Sequence, residues 1–266
     1  MLELAPQHKQ GLVLAGRVMN AAGSLGFAAE YRGLLNFTRL GAFVTNPLTL
    51  NPRTPAHPPN TIELDNGLLI HTGLPNPGVR RALRRHDADW RRLGVPVIVH
   101  LAATTPAEVA LAIEYLERAQ GVSGLELGLR DDVSPGETGR LVRAAQGGLP
   151  VLVRLPLAHA VALAPAAAQA GANALTVAAP PRLTVTTGSQ QVTGRHYSPD
   201  TFALALEALS AVAALDLGLP LIGAGGIYSV ENAREMLAAG AVAVQVDAAV
   251  WRRPGALSEF SVIDTA

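Results

Sequence analysis

The sequence predicts an α/β chain folded as a (β/α)8 (TIM) barrel, with an N-terminal β-hairpin at one end and hairpin insertions on the top face. Three observations predict it. Short aliphatic and β-branched runs alternate with Ala-rich or amphipathic stretches about eight times, at a period of roughly 25 to 30 residues. Those runs are continuously apolar, as parallel strands covered on both faces must be. Residues 219–250 read as strand, glycine loop, helix and strand in the penultimate βα unit, where such barrels build phosphate sites.

In chain order, residues 2–18 read as a hairpin turning near Gly11, and Met19-Asn20-Ala21-Ala22-Gly23 ends the first barrel strand in small residues. A helix is predicted over 28–39, and strand two over 42–45. A Pro-rich segment follows (51–60), then two apolar runs around Asp65-Asn66-Gly67, a strong hairpin signal. Such an insertion shapes the substrate pocket of a barrel. The Arg-rich helix over 79–93 is an outer, solvated barrel helix. Strand three (96–101) carries His100 near its C-terminal end; one histidine there is a satisfied core group or a catalyst. Strands over 124–129, 151–155 and 172–177, helices over 106–120, 135–146, 158–170 and 199–215, and a second hairpin over 182–193 complete the alternation.

In the penultimate unit, Gly223-Ala224-Gly225-Gly226-Ile227 precedes Ser229, a plausible N-cap, with Gly240 as the helix stop. Glycines here let backbone amides approach an anion that the helix N-terminus also attracts. The last strand (241–246) ends at Asp247-Ala248-Ala249, where further amides are expected and a carboxylate is unwelcome.

At 266 residues the chain fits one domain, 1–266. It is 49% apolar with zero formal charge and no recurring basic stretch, so nothing invites nucleic acid. The absence of cysteine removes disulfides, thiolate metal sites, thiol bases and iron–sulfur ligation, and no metal is assigned. Lys9 is the only lysine, which excludes Schiff-base chemistry in the barrel. No apolar run reaches the roughly 18 residues of a membrane span, and the N-terminus lacks a signal-peptide order, so a cytoplasmic protein is expected.

Taken together, MNAAG, FVTNPLTLNPR, GLPNPGV and IGAGGIYSVENAREMLAAGAVAVQV, in this order from about residue 18 to 250, resemble the dihydroorotate dehydrogenase family. The resemblance implies an FMN-binding barrel that oxidises dihydroorotate to orotate in pyrimidine synthesis, and by analogy a homodimer. Ala22 and Gly23 look like the segment beneath the flavin, Gly225 and Gly226 like the phosphate loop, and Asp247 and Ala248 stand where more phosphate-binding amides belong. Arg154 replaces a lysine near the flavin. Gly73 and Leu74 match the family's pocket segment.

The side chains depart further. Asn46 stands in place of the lysine after strand two, Ile70 in place of an orotate-binding asparagine, and Ala178-Ala179 near another. Gly128-Leu129-Arg130-Asp131-Asp132-Val133 occupies the place of Asn-x-Ser-Cys-Pro-Asn, so Asp131 is the candidate proton acceptor. Each amide lost from a site that binds orotate costs about 1–3 kcal/mol, which argues against dihydroorotate as the present substrate. Three readings stand open: a flavin oxidoreductase with a changed substrate; an eroded barrel kept as a scaffold or partner subunit, with Ile70, His71 and Arg130 filling its site; and a phosphate-binding barrel enzyme for another small metabolite, using His71, His100 or Asp131.

Overall fold

A computed structural model of the chain describes residues 1–31, 33–102, 104–252, 255–260 and 262–263, with the backbone alone at 256 and 258. The chain opens with β1 (Leu2–Glu3) and β2 (Val13–Leu14), which pair antiparallel. Then come β3 (Val18–Asn20) and β4 (Phe43–Val44), β5 (Thr61–Leu64) and β6 (Gly67–Ile70), α1 (Val79–Trp90), β7 (Val97–Ala102), α2 (Pro106–Leu116), β8 (Gly124–Gly128) and α3 (Pro135–Ala144). The second half holds β9 (Val151–Pro156), α4 (Ala160–Gln169), β10 (Ala174–Ala179), β11 (Arg182–Thr187), β12 (Gln190–Tyr197), α5 (Thr201–Ala213), β13 (Leu221–Ala224), α6 (Val230–Ala238), β14 (Ala243–Val246), α7 (Ala249–Arg252) and α8 (Ala256–Phe260).

Eight parallel strands run in the order β3-β14-β13-β10-β9-β8-β7-β4, and a parallel bridge from Met19 to Ala42 joins the two ends, so the sheet is the predicted (β/α)8 ring. The period of two along each strand divides the core. Phe43, Val97, Val99, Leu125, Leu127, Val151, Val153, Leu175, Val177 and Val244 face the helices. Met19, Val44, Ile98, Leu152, Ala174, Ile222 and Ala243 point inward, against Leu4, Leu12 and Leu14 of the N-terminal hairpin. The hairpin therefore plugs the N-terminal end of the ring. One pleat further on, the inward positions carry His100, Glu126, Arg154, Thr176 and Gln245, all buried. The barrel has an apolar floor and a polar upper layer.

The helices start where their caps say they should. Ser134 and Thr105 accept the N3 amides of α3 and α2, and Ser229 and Asn232 form a reciprocal capping box on α6. On α1, Val79, Ala82, His86 and Trp90 are buried while Arg80, Arg81, Arg84 and Arg85 face outward, so this is the solvated barrel helix expected.

The predicted helix over 28–39 does not form. The described residues there make only two 3-10 turns, Ala29–Tyr31 and Phe37–Arg39, and Arg32 lies outside the described residues. Left-handed backbone at Ala28 (φ 74°) and Gly33 (φ 82°) breaks the run, and the Asn36 side chain caps the second turn in place of a continuing helix.

The two insertions also do more than form separate hairpins. Arg195, His196 and Tyr197 of β12 pair antiparallel with Ile70, Leu69 and Leu68 of β6. The four strands make one sheet, β11-β12-β6-β5, built from the connections that leave the C-terminal ends of β4 and β10. Gly194 is required in it: a Cβ there would meet the Ile70 carbonyl oxygen at 2.5 Å.

Candidate functional site

The polar layer centres on Glu126, which has no exposed surface. A carboxylate in an apolar strand such as GLELG is tolerable only if donors converge on it. They do: Thr176 Oγ1 and Gln245 Nε2 donate to Oε1 at 2.9 and 2.6 Å, and Oε2 lies 2.6 Å from His100 Nδ1 and 4.0 Å from an Arg154 nitrogen. Burial alone pushes the Glu126 carboxyl up; the His100 hydrogen bond and charge, Arg154 and the Gln245 bond outweigh it and pull the group down to about 2. Arg154 donates to Gln245 Oε1 and, at 3.5 Å, to the Ala178 carbonyl. Gly128 makes room for the ring of His100, since a Cβ there would lie 2.3 Å from Nε2.

Above this layer, the end of β3 is tied to β4 by Asn20, which donates to the Val44 carbonyl at 2.7 Å and accepts its amide at 2.9 Å. Ala22 and Gly23 follow, with Gly23 at φ +89° and nothing closer to its missing side chain than Pro47 Cδ at 3.9 Å. Beside them, Asn46 Oδ1 is buried without a partner. A small-residue bed next to an unsatisfied buried acceptor is a place for a flat ligand with a donor at its edge.

At the ends of β13 and β14, Gly225 (φ +99°) and Gly226 (φ +68°) turn the chain towards α6. A Cβ on Gly226 would meet the Phe202 nitrogen at 2.4 Å. The amides of Gly225, Gly226 and Ile227 find no acceptor among the described residues. Asp247 is 4% exposed, and its Oδ1 accepts the Ala248 amide at 2.6 Å. Burial pushes its carboxyl above the usual range, against the pull of that amide and Arg154.

On the facing sheet, Asp131 bonds Arg195 of β12 at 2.6 Å and stands 3.6 Å from Arg182 of β11. Arg195 also donates to the Pro180 carbonyl and is the ladder partner of Ile70, so the strand that holds Ile70 also fixes the residue paired with Asp131. Arg130 turns away: it donates to Asp132, to the Thr104 carbonyl and to Glu137 of α3, whose hydrogen bonds raise its already high pKa. His71 lines a groove of about 370 Å³ with His57, Pro58, Pro59 and residues 190–193 of β12, away from every barrel strand end. The site chemistry is at the strand ends and this groove is outside it. Gly73 takes Arg53 at its carbonyl, and Leu74, with φ 55°, is 41% exposed.

The structure thus gathers Ala22, Gly23, Asn46, Arg154, Gly225, Gly226, Asp247 and Ala248 around one end of the barrel, with Asp131 and Ile70 at the sheet above, while Arg130, His71, Gly73 and Leu74 lie further out. Sequence reasoning passed over Glu126, Thr176, Gln245 and Arg195. A signal existed for the first three, polar residues at inward positions of apolar strands; Arg195 had none, because its place depends on the β6–β12 pairing. No group of three or more metal-ligating side chains occurs among the described residues, and no described helix is long and apolar enough to cross a membrane.

These residues fit a flavin nucleotide on two counts, unpaired backbone amides at the glycine loop and an orphaned acceptor beside a small-residue bed; at Asp247 the fit requires a neutral carboxyl. Residues 6–129 match the profile of the family described as dihydroorotate dehydrogenase. The chain is 34% identical to the catalytic subunit of dihydroorotate dehydrogenase B (NAD+) of Desulforudis audaxviator, over 92% of this chain and 86% of that one. It is 31% identical to the protein so named in Pelobacter propionicus, over 94% and 89%, and 31% identical to that of Geobacillus kaustophilus, over 92% and 84%. With that similarity running through nearly its whole length, the chain belongs to the dihydroorotate dehydrogenase family.

Proposed function

We propose that this chain is an FMN-dependent oxidoreductase of the dihydroorotate dehydrogenase type, acting in the cytoplasm on a small anionic substrate with fewer hydrogen-bonding groups than dihydroorotate. The observation that carries the reading is the coincidence, at one end of a barrel of this family, of three unpaired amides, a small-residue bed and a buried arginine. When bound, the flavin supplies a two-electron acceptor for a hydride leaving the substrate.

The chain's own residues supply the rest. Gly225, Gly226 and Ile227 would hold the phosphoryl end through main-chain N–H groups, with the Ala248 amide available there once Asp247 releases it. Ala22, Gly23 and Asn46 bed the ring, and Arg154, fixed by Gln245 and the Ala178 carbonyl, places a positive charge beside it. Asp131 is the proton acceptor, and Arg195 beside it meets the anionic group of the substrate. Relatives named catalytic subunits support a partner subunit for this chain too, one that takes the electrons onward; a homodimer would leave that role open.

A second reading, an eroded barrel kept as scaffold or subunit, is favoured by the occupation of Asp131 by two arginines and by the aliphatic Ile70 at the mouth. One experiment separates them. The full-length protein, reconstituted with FMN, is mixed anaerobically with L-dihydroorotate and with smaller saturated carboxylates that can lose two hydrogens from the carbons next to the carboxylate, and the flavin absorbance bands are followed. Bound flavin that bleaches with one of the smaller substrates supports the oxidoreductase. Protein that stays colourless after reconstitution refutes it and leaves the scaffold.

A further inference from the structure

β13 and β14 are neighbours, with Ala224 beside Gln245, so the glycine loop that follows Ala224 and the turn at Asp247 that follows Val246 leave adjacent strand ends. A buried carboxyl therefore stands at the strand end next to the glycine loop, close enough to Tyr228 of that loop to bear on its titration, and it already occupies the Ala248 amide at 2.6 Å. No side chain among the described residues bonds to it. The charged and titratable groups that face it are Arg154 from β9, Tyr197 from β12 and Tyr228 from the loop after β13, with Arg252 of α7 stacked over Tyr228 at 5.9 Å. Both tyrosines are pushed up to about 12, by burial first and then by the charge of Asp247, so they stay protonated beside it. Among the described residues, Arg154 is the cation that acts on Asp247, and its nitrogens are bonded to Gln245 and the Ala178 carbonyl.

An ionised carboxyl in this place is a built-in anion: it takes an amide that a phosphoryl group would use and repels the dianion. The neutral acid keeps the shape of the site and offers an O–H to a phosphoryl oxygen. We propose that Asp247 is a proton-linked ligand of the cofactor's phosphoryl end, admitting the phosphate when it carries a proton and excluding it when it does not. The inference rests on the flavin reading above. It adds that this chain discriminates FMN from the phosphate-free ring by pH.

The test compares dissociation constants of FMN and riboflavin, by flavin fluorescence quenching, for the full-length protein and for Asp247→Asn and Asp247→Gly. The phosphate itself changes charge near pH 6, and the variants carry that effect alone. In the unsubstituted protein the preference for FMN over riboflavin is expected to fall by about tenfold or more between about pH 5.5 and 8, while in both variants it stays level or rises. Two variants are used so that one which fails to fold does not decide the matter. A preference that follows the same pH course in the unsubstituted protein and the variants overturns the proposal and leaves the flavin reading standing. Binding of neither ligand by any of the three proteins overturns both.

Discussion

Replacing Glu126 by Gln removes the charge on which the upper layer of the barrel converges. In the folded chain this carboxyl is held at about 2 against an ordinary 4.5, a difference worth about 3 kcal/mol at 1.36 kcal/mol per unit. The folded value is depressed, so the stabilisation is fully present above pH 4.5 and is lost as the pH falls towards 2. A glutamine can still accept from Thr176 and Gln245, but its amide nitrogen faces His100 Nδ1 and the Glu126 charge is gone from beside Arg154. The expected loss at pH 7 is about 3 kcal/mol by urea unfolding, or about 6–12 °C in melting temperature for a chain of this size. Between pH 4.5 and 2 the difference between the two proteins should shrink. A variant within about 0.5 kcal/mol of the parent at pH 7, or a difference that grows on acidification, would refute the assignment of Glu126 as an ionised, well-compensated centre.

Two further substitutions probe the parts around it. Gly128→Ala drives a methyl to within 2.3 Å of His100 Nε2, so the ring must leave Glu126; a loss of about 2–3 kcal/mol is expected, and in combination with Glu126→Gln the losses should be less than additive in urea unfolding. Asp131→Asn breaks a part-exposed pair with Arg195 worth about 1 kcal/mol or less, so the melting temperature should move little, while turnover of any substrate that bleaches the flavin should fall by about 10²-fold or more in stopped-flow traces.

The ring of strands was legible because the inward and outward positions of each parallel strand are both apolar for most of their length, a pattern few other folds demand. The glycine loop was legible for a related reason: Gly226 sits where a side chain would collide with Phe202. The missing first helix was not, since Ala28 at φ 74° carries no mark in its residue type. The polar layer was half legible. His100 and Arg154 drew notice as single residues, but their meaning lies in Glu126, contributed by the strand between them, and in Gln245 across the ring. The environment of Asp131 was invisible for the same reason: its partners reach it only because two insertions far apart in sequence pair as one sheet.

The proposed function requires a flavin at the C-terminal end of this barrel. A crystal structure of the full-length protein grown with FMN at about pH 5.5 addresses that directly. Isoalloxazine density is expected over Ala22 and Gly23, with the phosphoryl group on the amides of Gly225 to Ile227. Clear density for the barrel with Asp247 on the Ala248 amide and no flavin at saturating FMN would contradict it.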